Sequence, residues 1–504
     1  MLSVFDLGAA RPCPAPFNMA AHVLSRGLET PDKIALRILG PESSEDWRHS
    51  EILQAVLGTA TGLLAGGCVP GDRVLMRLGN TVDFPLAYLG ALAAGLVPVP
   101  TSTALTVGEV APMIETLNPA LILRDAQVAC PDHPRTVLLE DLRAMRSLPP
   151  AEFHMGDPER PGYIIYTSGT SGTPRAVVHA HRAIWARQMM FDGWYGLGAQ
   201  DRVLHAGAFN WTYTLGTGLM DPWTAGATAL IAQQGTQAAD LPTLLARSEA
   251  TIFAAAPGVY RQMLQKSTLR DLPALRHGLS AGEKLPAATR KHWEETTGTP
   301  IFEAYGMSEC STFISASPAH PCDGHALGRP QDGRRIAIVG PDGPVPLDTE
   351  GTIAVHRSDP GLMLEYLGAP EETGARFQGD WFLTGDQGVM DAEGQVSYLG
   401  RADDMMNAGG FRVSPIEVEQ CLSRLPGITA VGVAEVEIKP DVTVIAAFYT
   451  GPAPLDEARL RGYAEGALAR YKQPRTYIHL AELPMGANGK ILRRSLRQTF
   501  EADL

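Results

Sequence analysis

The stretch that most constrains this chain is Tyr166-Thr-Ser-Gly-Thr-Ser-Gly-Thr-Pro-Arg175. It follows an apolar run, Tyr163 to Tyr166, that reads as a buried strand. It precedes Ala176 to Arg182, which reads as the start of a helix. Gly169 and Gly172 let the backbone come close to an anion. The N–H groups and hydroxyls of Thr167, Ser168, Thr170, Ser171 and Thr173 can donate to its oxygens, and Arg175 adds fixed positive charge. No G-x-x-x-x-G-K-[ST] pattern can be drawn through the stretch, so any nucleotide is held differently from a P-loop. A Ser/Thr/Gly cluster between two elements is by itself an ordinary loop. Its weight comes from what accompanies it.

The bulk numbers narrow the field. At 504 residues the chain is too long for one small core, and about two to four structural units are expected. With 45% hydrophobic and 19% charged residues the composition is that of a globular protein. A net charge of −13 argues against a broad nucleic-acid or anionic-membrane surface, but leaves room for a local basic site. Cys13, Cys68, Cys130, Cys310, Cys322 and Cys421 have no C-x-x-C spacing and no histidine cluster beside them. Reduced thiols in a cytoplasmic protein are therefore expected, without a zinc site or disulfide framework. The N-terminus reads as no signal peptide. The charge-free run Phe84 to Pro100 is broken by prolines, and its helical part, Leu86 to Leu96, is too short to span a bilayer. It reads as a buried helix followed by a strand.

Strand-like runs such as Arg73–Arg77, Ala120–Leu123 and Thr228–Ala232 alternate with helical stretches such as Ser50–Ala65. That rhythm predicts α/β architecture with parallel-rich sheets. From about residue 330 strands joined by Asp/Gly/Pro turns predict a small β-rich, barrel-like subdomain, with Arg335–Val339 and Gly351–Val355 as examples. Past Gly400 a helix from Val413 to Leu425, strands at Ala430–Ala434 and Val442–Tyr449, and a helix at Asp456–Tyr471 predict a further small α/β unit.

Four more motifs carry chemistry. In Tyr305-Gly306-Met-Ser308-Glu309 an aromatic ring can stack on a purine, a hydroxyl can bond a phosphate oxygen, and a carboxylate can ligate Mg²⁺. In Trp381-Phe-Leu-Thr-Gly-Asp386 a strand ends on a carboxylate that could meet ribose hydroxyls. Gly400-Arg401-Ala-Asp403-Asp404 leads through Asn407-Ala-Gly409-Gly410-Phe411-Arg412 into a helix with Ser414 at N-cap, Pro415 at N1 and Glu417 at N3. Leu483-Pro-Met-Gly-Ala-Asn-Gly-Lys490-Ile491 places a lysine on a glycine-rich loop near the C-terminus.

In this order and at these separations the five motifs resemble the adenylate-forming (AMP-binding) superfamily of acyl-CoA synthetases, peptide-synthetase adenylation domains and luciferases, over nearly the whole chain. The resemblance implies a large N-terminal adenylating domain, residues 1–399, a hinge at 400–404 around Asp403, and a mobile C-terminal domain, 405–504. It implies ATP, Mg²⁺ and coenzyme A as cofactor and co-substrates. Thr167 to Arg175 would hold the phosphates, Gly282 and Glu283 would line the adenine site, and Tyr305 and Gly306 would flank the base. Ser308 and Glu309 would manage the α-phosphate and Mg²⁺, and Asp386 and Arg401 would hold the ribose. Lys490 would bridge carboxylate and phosphate oxygens during adenylation. After a domain rotation Gly409, Gly410 and Phe411 would line a pantetheine tunnel, with Lys472 and Arg475 near the CoA phosphates.

Two positions depart from the usual pattern. Arg175-Ala176 stands where the family has Lys-Gly, which replaces a point charge by a planar fork, and Ser308 stands where Thr is frequent. Phe17–Ala21 and Tyr213–Leu219 resemble benzoate-type and medium-chain acyl-CoA ligases. Phe209, Trp211, Tyr213, Ala256, Pro257, Cys310 and Thr312 are the candidates for the acyl pocket, and their apolar, aromatic character suits a small uncharged acyl group. Benzoate ligases carry a histidine at the position of Thr312. The expected substrate is thus an aromatic, alicyclic or short-to-medium aliphatic acid. The competing reading is a stand-alone adenylation enzyme loading an amino or aryl acid onto a carrier-protein thiol. Another is a non-catalytic nucleotide sensor. No nucleic acid or membrane partner is expected, and a homodimer is left open.

Overall fold

The computed structural model describes residues 1–8, 10–167, 175–266, 272–322, 326–401, 404–408, 411–439, 442–468, 470–486 and 491–502. The chain divides into two compact units. The larger comprises Phe5–Arg335 and Val355–Phe382, the smaller Met1–Val4, Ile336–Ala354 and Leu383–Leu504.

The larger unit is built on a nine-stranded sheet in the order Arg329–Pro330, Ser311–Ser315, Ile301–Met307, His277–Ala281, Ile252–Ala255, Arg202–His205, Thr228–Ala232, Ile34–Leu39, Ser44–Arg48. Its central pairs are parallel and its edges antiparallel. The central strands read as continuous apolar runs because both faces are covered. A four-stranded parallel sheet runs Val97–Pro100, Arg73–Arg77, Leu121–Arg124, Thr136–Leu138. Between them helix His49–Ala65 presents Ile52, Val56, Thr59 and Leu63 at helical spacing to the core. Helix Asp83–Ala93 is buried along all of its 11 residues, which accounts for the charge-free run seen in the sequence. Among the described residues no helix is long and apolar enough to cross a membrane.

The segment after the Ser/Thr/Gly stretch corrects one expectation. Arg175–Ala180 is a strand, not the start of a helix, and pairs antiparallel with Pro161–Thr167 so that Thr167 faces Arg175. The β-branched pair Val177-Val178 and burial on both faces favour the extended state here. Residues 168–174, which join the two strands, lie outside the described residues. Glu365–Tyr366 completes this sheet on the other side of Arg175–Ala180.

The β-rich region also differs from expectation. Val4–Asp6, Arg335–Gly340, Gly351–His356, Trp381–Met390 and Phe377–Gln378 follow one another in a seven-stranded sheet, with Gly343–Pro344 and Val396–Arg401 off that path. It is an open sheet, not a barrel. Its terminal strands hold 3 and 2 residues, too short to carry a tilted ladder round to closure.

In the smaller unit Ala430–Lys439, Val442–Thr450 and Thr476–His479 form a sheet. The helices Pro415–Leu422 and Glu457–Ala467 share a core with it through Val418, Leu422, Val433, Ile445, Leu460 and Ala464. Ser414 caps the first helix as expected, accepting from Glu417 N–H at 3.3 Å.

Candidate active site

The motif Tyr305–Glu309 forms the end of a strand and the turn that leaves it. Ile301–Met307 pairs with Ser311–Ser315, with a register shift at Tyr305/Gly306. A Cβ on Gly306 would sit 2.1 Å from the Ser311 carbonyl oxygen, so only glycine allows this approach. Ser311 itself has φ of 64°, a left-handed backbone that a non-glycine residue rarely adopts. Tyr305, half-buried, meets Phe313 edge-to-face at 5.3 Å.

Ser308 and Glu309 are each held by buried partners. His179 Nε2 donates to the Ser308 carbonyl at 2.7 Å, and its ring stacks on Tyr163 at 4.7 Å. Burial pushes the His179 pKa down to about 4, so the ring is neutral at neutral pH. The Glu309 carbonyl accepts from Met363 N–H at 2.7 Å, and its carboxylate Oε1 accepts from the Tyr366 hydroxyl at 2.6 Å. Glu309 is only 8% exposed, so the strand-end glutamate is not a surface charge. Its Oε2 makes no hydrogen bond among the described residues and is the hard oxygen a magnesium ion would require. Burial, and then the Glu309 carboxylate, push the Tyr366 hydroxyl well above its ordinary range and keep it a donor.

The same Tyr366 ring lies 5.3 Å beneath the Arg175 guanidinium, which also pairs with Glu372 at 2.8 Å. Glu372 is half exposed, so this ion pair is weak and open to exchange for another anion. Thr167, Arg175, Tyr366 and Glu309 are therefore joined by one short sheet and one tyrosine.

Gly282 has φ of 98°, and a Cβ there would lie 3.2 Å from Trp211. Glu283 beside it is half-buried. The segment is fastened by Glu303, which is 1% exposed and accepts from Leu285 N–H at 2.9 Å, from Lys284 at 3.2 Å and from Arg290 at 3.0 Å. Trp211 meets Tyr213 edge-to-face at 5.1 Å, and Tyr213 meets His205 at 4.4 Å. The Tyr213 hydroxyl donates to the Leu279 carbonyl at 3.1 Å. Phe209 is buried and stacks on Phe84 at 6.1 Å. Ala256 is half-buried, and Pro257 opens the helix Pro257–Lys266. Cys310 is buried with its sulfur 3.7 Å from the Asp359 carboxylate. Thr312 Oγ1 lies 2.9 Å from the Met190 sulfur.

In the smaller unit Asp386, 7% exposed, stands opposite Arg401 across a strand pair at 3.4 Å. Gly385 before it has φ of 82°, which turns the strand at that point. Lys472 pairs with Glu417 at 2.6 Å, and Arg475 is exposed. Strands Met406–Ala408 and Phe411–Val413 pair with Ala408 opposite Phe411. A bridge between Met485 and Ile491 closes the base of the lysine loop. Ser168, Gly169, Thr170, Ser171, Gly172, Thr173, Asp403, Gly409, Gly410 and Lys490 lie outside the described residues.

Sequence reasoning missed Tyr366, His179 and Glu303, and it named Arg493, with Arg494 and Arg497, only as a charge following the lysine loop. Arg493 opens the C-terminal helix and forks onto Glu419 at 2.7 and 2.9 Å while reaching Asp404 at 3.4 Å. Glu303 did leave a signal, a lone carboxylate inside the apolar run Ile301–Tyr305.

Residues 25–367 match the family model of the AMP-binding enzymes, and residues 417–490 match that of the AMP-binding enzyme C-terminal domain. The chain belongs to the AMP-binding enzymes. It is an AMP-forming acid–thiol ligase, an acyl-CoA synthetase. It is 31% identical to a 3-hydroxybenzoate–CoA/4-hydroxybenzoate–CoA ligase of Thauera aromatica, over 97% of this chain and 98% of that protein. Among solved structures it is similar to the anthranilate CoA ligase AuaEII in complex with anthranoyl-AMP, with 26% identity, a TM-score of 0.87, and coverage of 98% of this chain and 99% of that one. It is also similar to ATP-bound MatB from Rhodopseudomonas palustris, with 25% identity, a TM-score of 0.87, and coverage of 96% and 99%.

Proposed function

We propose that this enzyme activates a small aromatic, alicyclic or short-to-medium-chain carboxylic acid with ATP and transfers the acyl group to coenzyme A, releasing AMP and pyrophosphate. The observation that carries the substrate class is the approach of Trp211 to Gly282, where an added Cβ would lie 3.2 Å from the indole. It joins the proposed adenine side to an aromatic wall of Trp211 and Tyr213, a wall suited to a flat or compact apolar acid. Ala256 and Thr312 would border the acid, with Phe209, Pro257 and Cys310 as their backing.

In the first half-reaction the carboxylate attacks the α-phosphorus, which brings two anions together. Cations must stand where that charge develops. Thr167 to Arg175 would hold the phosphates, with Arg175 exchanging Glu372 for a phosphate oxygen. Tyr305 and Gly306 would border the base with Gly282 and Glu283, while Asp386 and Arg401 would hold the ribose. Ser308 would donate to the α-phosphate, and Lys490 would orient the acid's carboxylate. Mg²⁺ bound at Glu309 would neutralise charge on the phosphate oxygens. For the second half-reaction residues 405–504 would turn about the hinge 400–404 at Asp403. Lys490 would then leave, and Gly409, Gly410 and Phe411 would admit the pantetheine thiol. Lys472 and Arg475 would meet the CoA phosphates. Dependence on ATP and CoA suits a cytoplasmic enzyme.

The test is a panel of small carboxylates with ATP and Mg²⁺, with and without CoA, scored by AMP release and thioester mass. A CoA-dependent thioester with a benzoate-like, alicyclic or medium-chain acid is the expected result. Preference for a dicarboxylate or a long-chain acid would refute the substrate class.

A further inference from the structure

Two buried ion pairs grip the three residues that follow Glu309. Arg187 forks onto Asp221, with Nε to Oδ1 at 2.9 Å and Nη2 to Oδ2 at 2.6 Å. Asp221 also accepts from the Tyr195 hydroxyl at 2.7 Å, and Thr217 bonds that hydroxyl at 2.9 Å. The remaining guanidinium arm, Nη1, donates to Ser311 Oγ at 2.5 Å. Arg334, paired with Asp359 at 2.5 Å, donates to the Thr312 carbonyl at 3.0 Å, and Asp359 faces the Cys310 sulfur. Each arginine is packed on a glycine. A Cβ on Gly216 would lie 2.2 Å from Arg187 Nη2, and one on Gly361 would lie 2.7 Å from Arg334 Nη1. At each of these points a glycine leaves the space that the guanidinium occupies.

Both pairs are expensive ways to fill a core, because burying two charges gains little over apolar packing. What a forked guanidinium supplies instead is direction. It is supplied where the backbone is least comfortable, at Ser311 with its left-handed φ of 64°. Met190, which Thr312 touches, lies three residues beyond Arg187.

We propose that Arg187 is a positioning residue for adenylation: through the Ser311 hydroxyl it fixes the start of the strand that follows Ser308 and Glu309, and so sets those groups against the reacting phosphate and Thr312 against the acid. The inference rests on the reading of Ser308 and Glu309 given above. Asp221 keeps Arg187 charged and oriented. Burial alone would lower the arginine's pKa, but the carboxylate outweighs it.

The test uses Ser311→Ala, Ser311→Gly and Arg187→Lys, the last keeping the charge for Asp221 but losing the fork. Acid-dependent ATP–pyrophosphate exchange is measured with kcat and KM for the acid separately, alongside ATP binding by calorimetry without acid. All three variants should lose about tenfold or more in kcat of exchange, since small misplacements of reacting groups are costly. ATP binding should stay within about twofold, because the tether acts on geometry and not on nucleotide affinity. Exchange near wild type in Ser311→Ala and Arg187→Lys overturns the proposal. So does a loss matched by equal loss of ATP binding, which marks general loosening. Recovery in Ser311→Gly over Ser311→Ala assigns the effect to backbone strain and overturns the tether. Glu309→Gln run in parallel separates the two readings: exchange that survives this change removes the role of the turn itself, whatever Ser311 does.

Discussion

The turn at Ser308–Glu309 and the C-terminal region from Asp404 onward carry chemistry in opposite ways. In the turn, each functional group is fixed by a buried neighbour: Glu309 by Tyr366, the Ser308 carbonyl by His179, and the following strand by Arg187 and Arg334. Beyond Asp404 the two candidate functional cations among the described residues, Lys472 and Arg475, keep access to solvent. Lys472 is held by a partly exposed glutamate and Arg475 faces solvent. The supporting pair there, Arg493 on Glu419, is less exposed, with 13% and 14% of the side chains accessible. A group that must hold a phosphate through bond making gains from preorganisation. A group that must arrive and leave gains from partners that are cheap to exchange. The contrast matches one static half of the chemistry and one that alternates, as proposed for residues 405–504.

The sharpest way to break the comparison is Lys490→Ala. If this lysine serves only the first half-reaction, adenylation should fall by about a hundredfold to a thousandfold, the range for losing one charge-stabilising donor. Thioester formation from supplied acyl-AMP should stay near wild type. A bulky residue at Gly409 should do the reverse. Rapid-quench assays of the two half-reactions decide it, and equal loss of both steps in Lys490→Ala would sink the alternation.

The second prediction tests how firmly the turn is built. His179 has a folded-state pKa of about 4, below the roughly 6.5 of an unfolded histidine. The unfolded chain therefore binds more protons, and stability falls as pH drops from about 6.5 to about 4. At pH 5 this one group costs roughly 2 kcal/mol relative to pH 7. His179→Phe keeps the stack on Tyr163 and removes the titration. Its denaturant-measured stability should be lower at pH 7 but should fall less between pH 7 and pH 5. A slope equal to wild type would show that His179 is not held neutral.

Much of this was legible in the sequence, for identifiable reasons. Arg73–Arg77 and Thr228–Ala232 appear as strands at the expected bounds because apolar runs flanked by turn residues have one reading. The Ser414 cap follows from local chemistry alone. Ala176–Arg182 misled because its alanines favour a helix while Val177-Val178 favour a strand, and the decision came from pairing with Pro161–Thr167 and Glu365–Tyr366, which the local sequence does not reveal. The barrel misled because the strands at the two ends of the sheet are too short to pair with each other and close it. The candidates Ser308, Glu309 and Asp386 could be named from the sequence because their motifs are contiguous. Tyr366 and Arg187 were not, since each acts on a residue far away in sequence, 57 positions for Tyr366 and Glu309 and 124 for Arg187 and Ser311.

The third prediction isolates the tyrosine. Tyr366→Phe keeps the ring under Arg175 and deletes only the hydroxyl on Glu309. A hydrogen bond to a charged group contributes about 1.5–3 kcal/mol when lost alone, but here Mg²⁺ would still hold the carboxylate. The expected loss in adenylation is about tenfold, with a higher Mg²⁺ concentration needed for half-maximal rate. Rates measured across a magnesium titration check it. An unchanged magnesium dependence would show that the hydroxyl does not orient Glu309.

The smallest effect is expected where the comparison says interactions are exchangeable. Lys472 and Glu417 form an ion pair with 22% and 44% of their side chains exposed, the kind that contributes little to stability. Lys472→Ala should leave melting temperature and acid-dependent pyrophosphate exchange essentially unchanged. KM for CoA should rise by about twofold to fivefold, and this rise should shrink at high salt, because an exposed cation acting on a phosphate is screened. Glu417→Gln should move KM for CoA the other way, since it removes a carboxylate that competes with phosphate for the lysine. A large loss of stability in Lys472→Ala would mean that the lysine is part of the support after all. The division between supporting ion pairs and exchangeable ones would then fail on the side of the molecule where it is simplest to test.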